Sequence, residues 1–152
     1  MLHKEVRYVS KKILIIDDEA DIHELLKTHL KKIGGTEIIS AYSGEEGIKK
    51  YKELMERGEK PSLVIMDLNL SGKDSMDVID LHKEGLDKKL DGVRTTDKIL
   101  KMDPEAIIWG YTAWFGTDWA EKLREKGVKK IFGRVTPFKE FARMVEKFLK
   151  GS

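Results

Sequence analysis

The fold of this chain is decided by one short stretch, Ile13-Leu14-Ile15-Ile16-Asp17-Asp18-Glu19. Four consecutive apolar residues indicate a strand that is buried on both faces, because a half-exposed strand alternates apolar and polar residues. Strands of this kind occur in parallel sheets that are covered by helices on both sides. The acids that follow at once mark the carboxyl end of the strand. The stretch therefore predicts an α/β fold with acidic groups at one edge of its sheet.

Strands and helices alternate along the rest of the chain. Further apolar runs predict strands at 37–41, 63–68, 106–113 and 128–132. Apolar residues at helical spacing predict helices between these strands, and Ser43 with Glu46 forms a capping box before one of them. A last amphipathic helix covers 138–149. The alternation predicts a doubly wound, five-stranded parallel sheet with helices on both faces.

Composition excludes several classes of protein. The 152 residues suffice for one domain, and no apolar run approaches the roughly 20 residues that span a membrane. With 29 basic and 27 acidic residues the net charge is only +2, unlike that of a nucleic-acid-binding protein. Cys is absent, which excludes disulfides and thiolate metal sites. We therefore expect a cytoplasmic protein that contacts neither nucleic acid nor membrane.

The amide residues are unusually few. Gln is absent and Asn69 is the single Asn, whereas Lys and Glu are abundant. This bias is typical of proteins from thermophiles, since amides are chemically fragile and ion pairs become less costly with temperature. We therefore expect a thermophilic source.

Acids and a hydroxyl follow the predicted strands. Asp17 and Asp18 end the first strand, Asp67 ends the third, and Thr112 ends the fourth. Ligands of parallel α/β folds bind where strands end. Any single acid in such a turn is usually just solvated, but carboxylates gathered at one point repel each other unless a hard cation lies between them. The four residues together favour a Mg²⁺ site at which one carboxylate acts as a nucleophile.

Three segments end in the residues just described: Ile13-Leu-Ile-Ile-Asp17-Asp18-Glu19, Leu63-Val-Ile-Met-Asp67-Leu68 and Ile107-Ile-Trp-Gly-Tyr-Thr112-Ala113. They resemble the signature strands of response-regulator receiver domains, the family with the flavodoxin-like fold of CheY. The resemblance covers a single domain over 12–150, preceded by an extension over 1–11. It implies transfer of a phosphoryl group from a sensor histidine kinase or phosphotransfer protein to Asp67, with Mg²⁺ bound. It also implies a phosphoacceptor rather than an enzyme.

The resemblance also implies a role for each matching residue. Asp18 would contact Mg²⁺ directly, Asp17 would act mainly through bound water, and Asn69 would offer its backbone carbonyl. Thr112 would donate its hydroxyl to the phosphoryl oxygen once Asp67 is modified. Because the last helix reaches the end of the sequence, we expect a stand-alone domain that signals through contacts with a downstream protein effector.

The basic residue of the family departs from the pattern. Receivers carry a Lys before a Pro after their fifth strand, but the residue before Pro137 is Thr136. Counting from Gly127 instead places this position at Arg134, which is our preferred substitute. Arg is planar where Lys is a compact point charge, so the exchange would not be neutral. The alternatives are an impaired switch or a contribution from Lys129, Lys130 or Lys139.

A second departure is an insertion after the phosphoacceptor loop. The Asp-Gly pair that receivers place shortly after the phosphoacceptor is matched at Asp91-Gly92, so 73–90 is interpreted as an insertion. In an alternative register, Asp74-Ser75-Met76 fills the usual position and the extra residues come later. In either register the insertion adjoins the phosphorylation loop, where lids and partner surfaces are often built.

Aromatic residues surround the predicted hydroxyl donor. Trp109, Trp114 and Trp119 are interpreted as a cluster around Thr112. We hypothesise that the Trp114 indole shields the acyl phosphate from water, and core packing is the alternative.

The first predicted helix also carries two histidines. His23 and His29 are interpreted as surface or boundary residues.

Two other functions compete with the phosphoacceptor. A pseudo-receiver would keep the acidic pocket as a binding module without switching by phosphorylation, which the missing Lys and the insertion favour. A phosphohydrolase of the haloacid dehalogenase type would need a second Asp two residues after Asp67. That position holds Asn69, whose amide cannot transfer a proton, so this class is disfavoured.

Overall fold

The structure is a computed structural model that describes residues 10–70 and 90–151. Within these residues, five strands form one sheet: β1 Lys11–Ile16, β2 Thr36–Ala41, β3 Leu63–Met66, β4 Ile108–Thr112 and β5 Lys130–Gly133. Five helices accompany them: α1 Ala20–Leu30, α2 Gly44–Glu56, α3 Gly92–Met102, α4 Asp118–Lys126 and α5 Phe138–Gly151. Most of the predicted extension and of the predicted insertion lies outside the described residues.

All strand pairs are parallel, and the strand order is β2-β1-β3-β4-β5. Ile13 pairs with Ile38 of β2 on one side and with Leu63 of β3 on the other. The order reverses at β1, so successive connections run to opposite faces and a crevice opens at the carboxyl ends of β1 and β3. The predicted doubly wound parallel sheet is confirmed.

The alternation of side chains along β1 divides the core into two layers. Ile13 and Ile15 pack with the helices α1 and α5 on one face of the sheet. Leu14 and Ile16 pack with α2, α3 and α4 on the other face. All four side chains are fully buried, which confirms the prediction of a strand buried on both faces.

Local signals set the helix ends. The Ser43 side chain accepts a hydrogen bond from the Glu46 N–H at 3.0 Å, as the predicted cap requires. The Glu46 carboxylate in turn accepts from the Tyr42 N–H at 2.6 Å. At the other end of a helix, Gly127 stops α4 with a φ of 113°, a left-handed conformation that favours glycine.

The predicted third strand was too long. The sequence predicts a strand to Leu68, but β3 ends at Met66. Leu68 and Leu70 are buried beneath α3 rather than paired in the sheet. Apolar residues mark burial as well as strand pairing, so the apolar run continued beyond the end of the strand.

No helix among the described residues is long and apolar enough to cross a bilayer.

Candidate functional site

The ends of two neighbouring strands bring the predicted acids together. Asp17 follows β1, Asp67 follows β3, and the pairing of Ile16 with Met66 holds these two ends side by side. Asp17, Asp18 and Asp67 each offer a carboxylate oxygen, and these oxygens lie within 4.8 Å of one another. Three carboxyl groups therefore converge on one point of the crevice.

Every polar group of Asp17 has a partner. Its N–H donates to the carbonyl of Ala41 at 3.1 Å, and its carbonyl oxygen lies 2.7 Å from Nε2 of His23. Its Oδ1 accepts from the Glu19 N–H at 2.9 Å, and its Oδ2 accepts from Nη2 of Arg134 at 2.7 Å. Burial raises the pKa of Asp17 to about 6, although the Arg134 charge opposes this shift.

Asp67 is also buried in the crevice, with 6% of its surface exposed. Its N–H donates to the carbonyl of Ile16, and its Oδ1 accepts from the Leu68 N–H at 2.7 Å. Burial raises the pKa of Asp67, and the negative charge of Asp17 raises it further. A cation beside the two acids would reverse this effect and keep both carboxylates ionised.

The donor set fits Mg²⁺. Hard oxygen ligands are what Mg²⁺ binds, through one or two carboxylates together with water or phosphate oxygens. Asp17, Asp18 and Asp67 supply carboxylate oxygens at one point, and two of these acids are nearly inaccessible to water. Asn69 is also buried, two residues after Asp67. The use of its backbone carbonyl as a ligand stays a prediction.

Thr112 lies at the end of β4 and is fully buried. Its Oγ1 accepts a hydrogen bond from the Trp114 N–H at 3.1 Å. Its hydroxyl also hydrogen-bonds the Asp67 carboxylate and lowers the pKa of that group, against the larger effect of burial. The hydroxyl is thus aimed at the acid that the resemblance makes the phosphoacceptor.

Arg134 reaches into the same crevice from the loop after β5. Its Nη2 lies 2.7 Å from Oδ2 of Asp17 and 3.8 Å from Oδ2 of Asp67. Tyr111 supports it twice: the carbonyl accepts from Nη2 at 3.0 Å, and the ring centroid lies 5.0 Å from the guanidinium carbon. A planar guanidinium can stack on a ring and donate to two acceptors at once, and therefore suits this position better than the ammonium group of Lys.

The alternative lysines lie elsewhere. Lys129 and Lys130 are exposed at the amino end of β5, opposite the crevice, and Lys130 covers the ring of Trp109. Lys139 lines a groove between α1 and α5. Of these candidates, Arg134 is the one that the structure places against the acids.

Gly92 packs directly against the phosphoacceptor loop. Its N–H donates to the Leu68 carbonyl at 2.8 Å, and a Cβ at this position would overlap the carbonyl oxygen of Asp67. The register that matches the Asp-Gly pair at Asp91-Gly92 stays a prediction. The alternative segment, 74–76, lies outside the described residues.

Asp91 links the start of α3 to α4. Its Oδ1 accepts from the Arg94 N–H at 2.8 Å and so caps α3. Its Oδ2 accepts from Nε1 of Trp119 at 3.1 Å. The side chain therefore joins two helices beside the crevice.

The prediction of one tryptophan cluster around Thr112 was wrong. Trp109 packs against Phe132 and Phe148 on the face that carries α1 and α5. Trp114 contacts Trp119 on the opposite face, with ring centroids 5.6 Å apart. Side chains alternate across a strand, so nearness in sequence to Thr112 did not imply a shared face. Shielding by Trp114 stays a prediction.

The interpretation of His23 as a surface or boundary residue was also wrong, because this side chain is fully buried. Besides its contact with Asp17, its Nδ1 lies 2.8 Å from Oγ of Ser40. A signal was available in the sequence: Leu26 and Leu30 share the helical face of His23, at spacings of three and seven residues. His29 is half-buried at the groove between α1 and α5.

Comparisons with known proteins agree with this geometry. Residues 13–145 match the family described as "Response regulator receiver domain". The chain is 30% identical over 100 residues to the chemotaxis protein CheY of Thermotoga maritima, a match that covers 66% of this chain and 65% of that protein. It is 39% identical over 70 residues to the alkaline phosphatase synthesis transcriptional regulatory protein PhoP of Bacillus subtilis, which covers 46% of this chain but 27% of that one.

Solved structures share the fold. A CheY-like response regulator receiver domain protein from Methanospirillum hungatei matches with a TM-score of 0.71 at 18% identity, over 93% of this chain and 95% of that one. The CheX-CheY-BeF3-Mg²⁺ complex from Borrelia burgdorferi matches with a TM-score of 0.67 at 20% identity, over 91% and 89%. With the family match over most of its length, this chain belongs to the response regulator receiver domains of two-component signalling.

Proposed function

We propose that this domain accepts a phosphoryl group on Asp67 from the phosphohistidine of a sensor histidine kinase or phosphotransfer protein, in a Mg²⁺-dependent reaction. One observation carries the proposal: the carboxylates of Asp17, Asp18 and Asp67 converge within 4.8 Å. A hydroxyl from Thr112 and a guanidinium from Arg134 face the same point. Phosphoryl transfer needs little besides such positioning and positive charge.

The chemistry follows from the residues present. A carboxylate oxygen of Asp67 forms the new bond to phosphorus while the bond to the histidine nitrogen breaks, and that nitrogen takes up a proton. Asp17 and Asp18, with the Asn69 carbonyl, would hold Mg²⁺. When bound, Mg²⁺ supplies charge that offsets the phosphoryl oxygens. Thr112 would turn its hydroxyl from Asp67 to a phosphoryl oxygen, and Arg134 would contribute its charge from the Asp17 side.

The proposed output is a protein contact made in the cytoplasm with a downstream effector. The structure from Borrelia burgdorferi pairs a CheY with CheX and contains BeF3 and Mg²⁺, which supports a protein partner and a metal for this domain too. We also propose that the domain is a phosphoacceptor rather than a hydrolase with multiple turnovers. The amide at Asn69 cannot act as the acid or base that such turnover would need.

Incubation with Mg²⁺ and acetyl phosphate tests the proposal. Intact-mass measurement should show addition of one phosphoryl group to the wild type and none to Asp67→Asn. Asp97→Asn is the matched control, since Asp97 is a surface acid of α3 that pairs with Lys101. A folded wild type that is never modified, and whose spectra do not change with beryllofluoride, would overturn the proposal in favour of a pseudo-receiver.

A further inference from the structure

A buried histidine lies directly behind the acid cluster. His23 is on the first full turn of α1 and is 0% exposed. The ring of Tyr42 covers it, with centroids 4.2 Å apart. Burying an imidazole is costly unless both nitrogens find partners, and here both do.

The two partners determine where the proton lies on the ring. A backbone carbonyl oxygen can only accept, so Nε2 of His23 donates to the carbonyl of Asp17 across 2.7 Å. In the neutral ring, Nδ1 is then the acceptor, and the hydroxyl of Ser40 on β2 donates to it across 2.8 Å. Ser40 thereby fixes the orientation of the ring that holds Asp17.

The hydrogen bond from His23 to the carbonyl of Asp17 also affects the next residue, Asp18. The carbonyl of Asp17 belongs to the peptide plane that joins it to Asp18, and that plane is rigid. The Asp17 N–H is already bonded to Ala41, so the bond from His23 holds the other end of the residue. With both ends held, the direction in which Asp18 leaves the backbone is restricted.

We propose that His23 is a positioning residue for the cation site: its Nε2–H orients the Asp17–Asp18 peptide so that both carboxylates face the cation. This inference rests on the proposed function, because it concerns the metal site of that reaction. His23 touches neither cation nor phosphoryl group and acts through the backbone of Asp17.

Mg²⁺ titration of three variants tests this role, with affinity measured by calorimetry on the full chain. His23→Leu removes the donor and puts an apolar side chain in its place, and His23→Gln keeps an N–H donor. His29→Leu is the matched control, since His29 lies on the same helix but faces the groove with α5. A buried carbonyl left without its donor is expected to weaken Mg²⁺ binding by about tenfold in His23→Leu. His23→Gln should stay within about threefold of the wild type, and His29→Leu should equal it.

The outcomes separate the inference from the proposed function. Wild-type affinity in folded His23→Leu would overturn the positioning role, and so would equal losses in the Gln and Leu variants. A wild type that binds no Mg²⁺ would overturn both the inference and the metal-dependent function. A wild type that binds Mg²⁺ but never accepts a phosphoryl group would overturn only the function.

A measurement on the wild type keeps the inference testable even if His23→Leu does not fold. Two-bond ¹H–¹⁵N correlation spectra of the imidazole distinguish its tautomers. We expect a protonated Nε2 and a bare Nδ1 for His23, both with and without Mg²⁺. A ring protonated on Nδ1 alone could not donate to Asp17, and this result would overturn the inference.

Discussion

Gly92 sets how closely α3 approaches the phosphoacceptor. It is the first residue of α3, and its N–H is bonded to the Leu68 carbonyl. The atoms that a Cβ would meet are backbone atoms, the carbonyl of Asp67 and Cα of Leu68, the latter at 2.9 Å. Backbone atoms cannot turn aside as a side chain can, so only glycine allows this contact without moving the loop.

We therefore expect Gly92→Ala to lower the free energy of unfolding by about 1–3 kcal/mol. Gly151→Ala is the matched control, because Gly151 also lies in a helix, but a Cβ there would meet no atom within 4 Å. Without a clash, the better helix propensity of alanine should keep the control from lowering the free energy of unfolding. Urea unfolding measures the free energy of unfolding of both variants. Equal decreases would contradict a clash that is specific to Gly92.

Trp114 follows the hydroxyl donor by two residues and is half-buried against Trp119. If its indole restricts water near Asp67, Trp114→Ala should speed loss of the phosphoryl group severalfold. The backbone N–H that donates to Thr112 is kept in this variant. Decay of the phosphorylated protein after removal of the donor measures the rate. Trp109→Phe on the far face is the control, and an unchanged rate in Trp114→Ala would refute shielding.

At the level of elements, α2 and α3 are joined by a buried hydrogen bond. The hydroxyl of Tyr51 donates to Oδ2 of Asp103 at 2.7 Å, and Lys60 lies 3.1 Å from the same oxygen. Burial alone would raise the pKa of Asp103, but the hydrogen bonds from Tyr51 and Lys60 lower it below its ordinary value of 3.8. The folded protein therefore holds this acid in its charged form.

Tyr51→Phe should cost about 1–3 kcal/mol near pH 7, since a buried carboxylate loses a donor. A depressed pKa in the folded state stabilises the protein above the ordinary pKa, and this contribution is lost as the pH falls through the folded pKa. The difference between wild type and variant should thus shrink below about pH 4. Urea unfolding at several pH values measures it, with exposed Tyr42→Phe as the control. A pH-independent difference would contradict the assignment.

For the whole molecule, the acid cluster makes stability depend on pH and on Mg²⁺. Burial raises the pKa values of Asp17 and Asp67, so the folded state binds protons more tightly than the unfolded chain. The free energy of unfolding without metal should therefore fall as the pH rises from about 4 through the folded pKa values.

Mg²⁺ should reverse this loss, because it binds the ionised carboxylates of the folded protein only. The increase in melting temperature caused by Mg²⁺ is expected to be larger at pH 8 than at pH 6, where protons compete for the same oxygens. Thermal unfolding with Mg²⁺ or with a chelator measures the increase, and Asp17→Asn should lose most of it. An increase that does not depend on pH would contradict a site built from these acids.

The sequence by itself determined the architecture and the acids of the site. Apolar runs and helical spacing are local, and backbone hydrogen bonding imposes the same periodicity wherever such a run occurs. The acids after β1 and β3 must meet, because the carboxyl ends of parallel neighbouring strands lie at one edge. The capping of α2 by Ser43 could likewise be predicted, since the cap and its partner Glu46 are three residues apart.

Only the tertiary structure decided which distant residues complete the site. Arg134 reaches Asp17 across 117 positions of sequence, and the direction of its side chain depends on the carbonyl and ring of Tyr111. His23 is buried because Ser40 of β2, the ring of Tyr42 and the end of β1 close around it. Helical periodicity predicts which residues lie on the same face of a helix. The residues that pack against that face belong to another element, so the periodicity does not identify them. Spacing along the chain therefore allowed several basic residues as the one beside the acids, and the tertiary structure places Arg134 there.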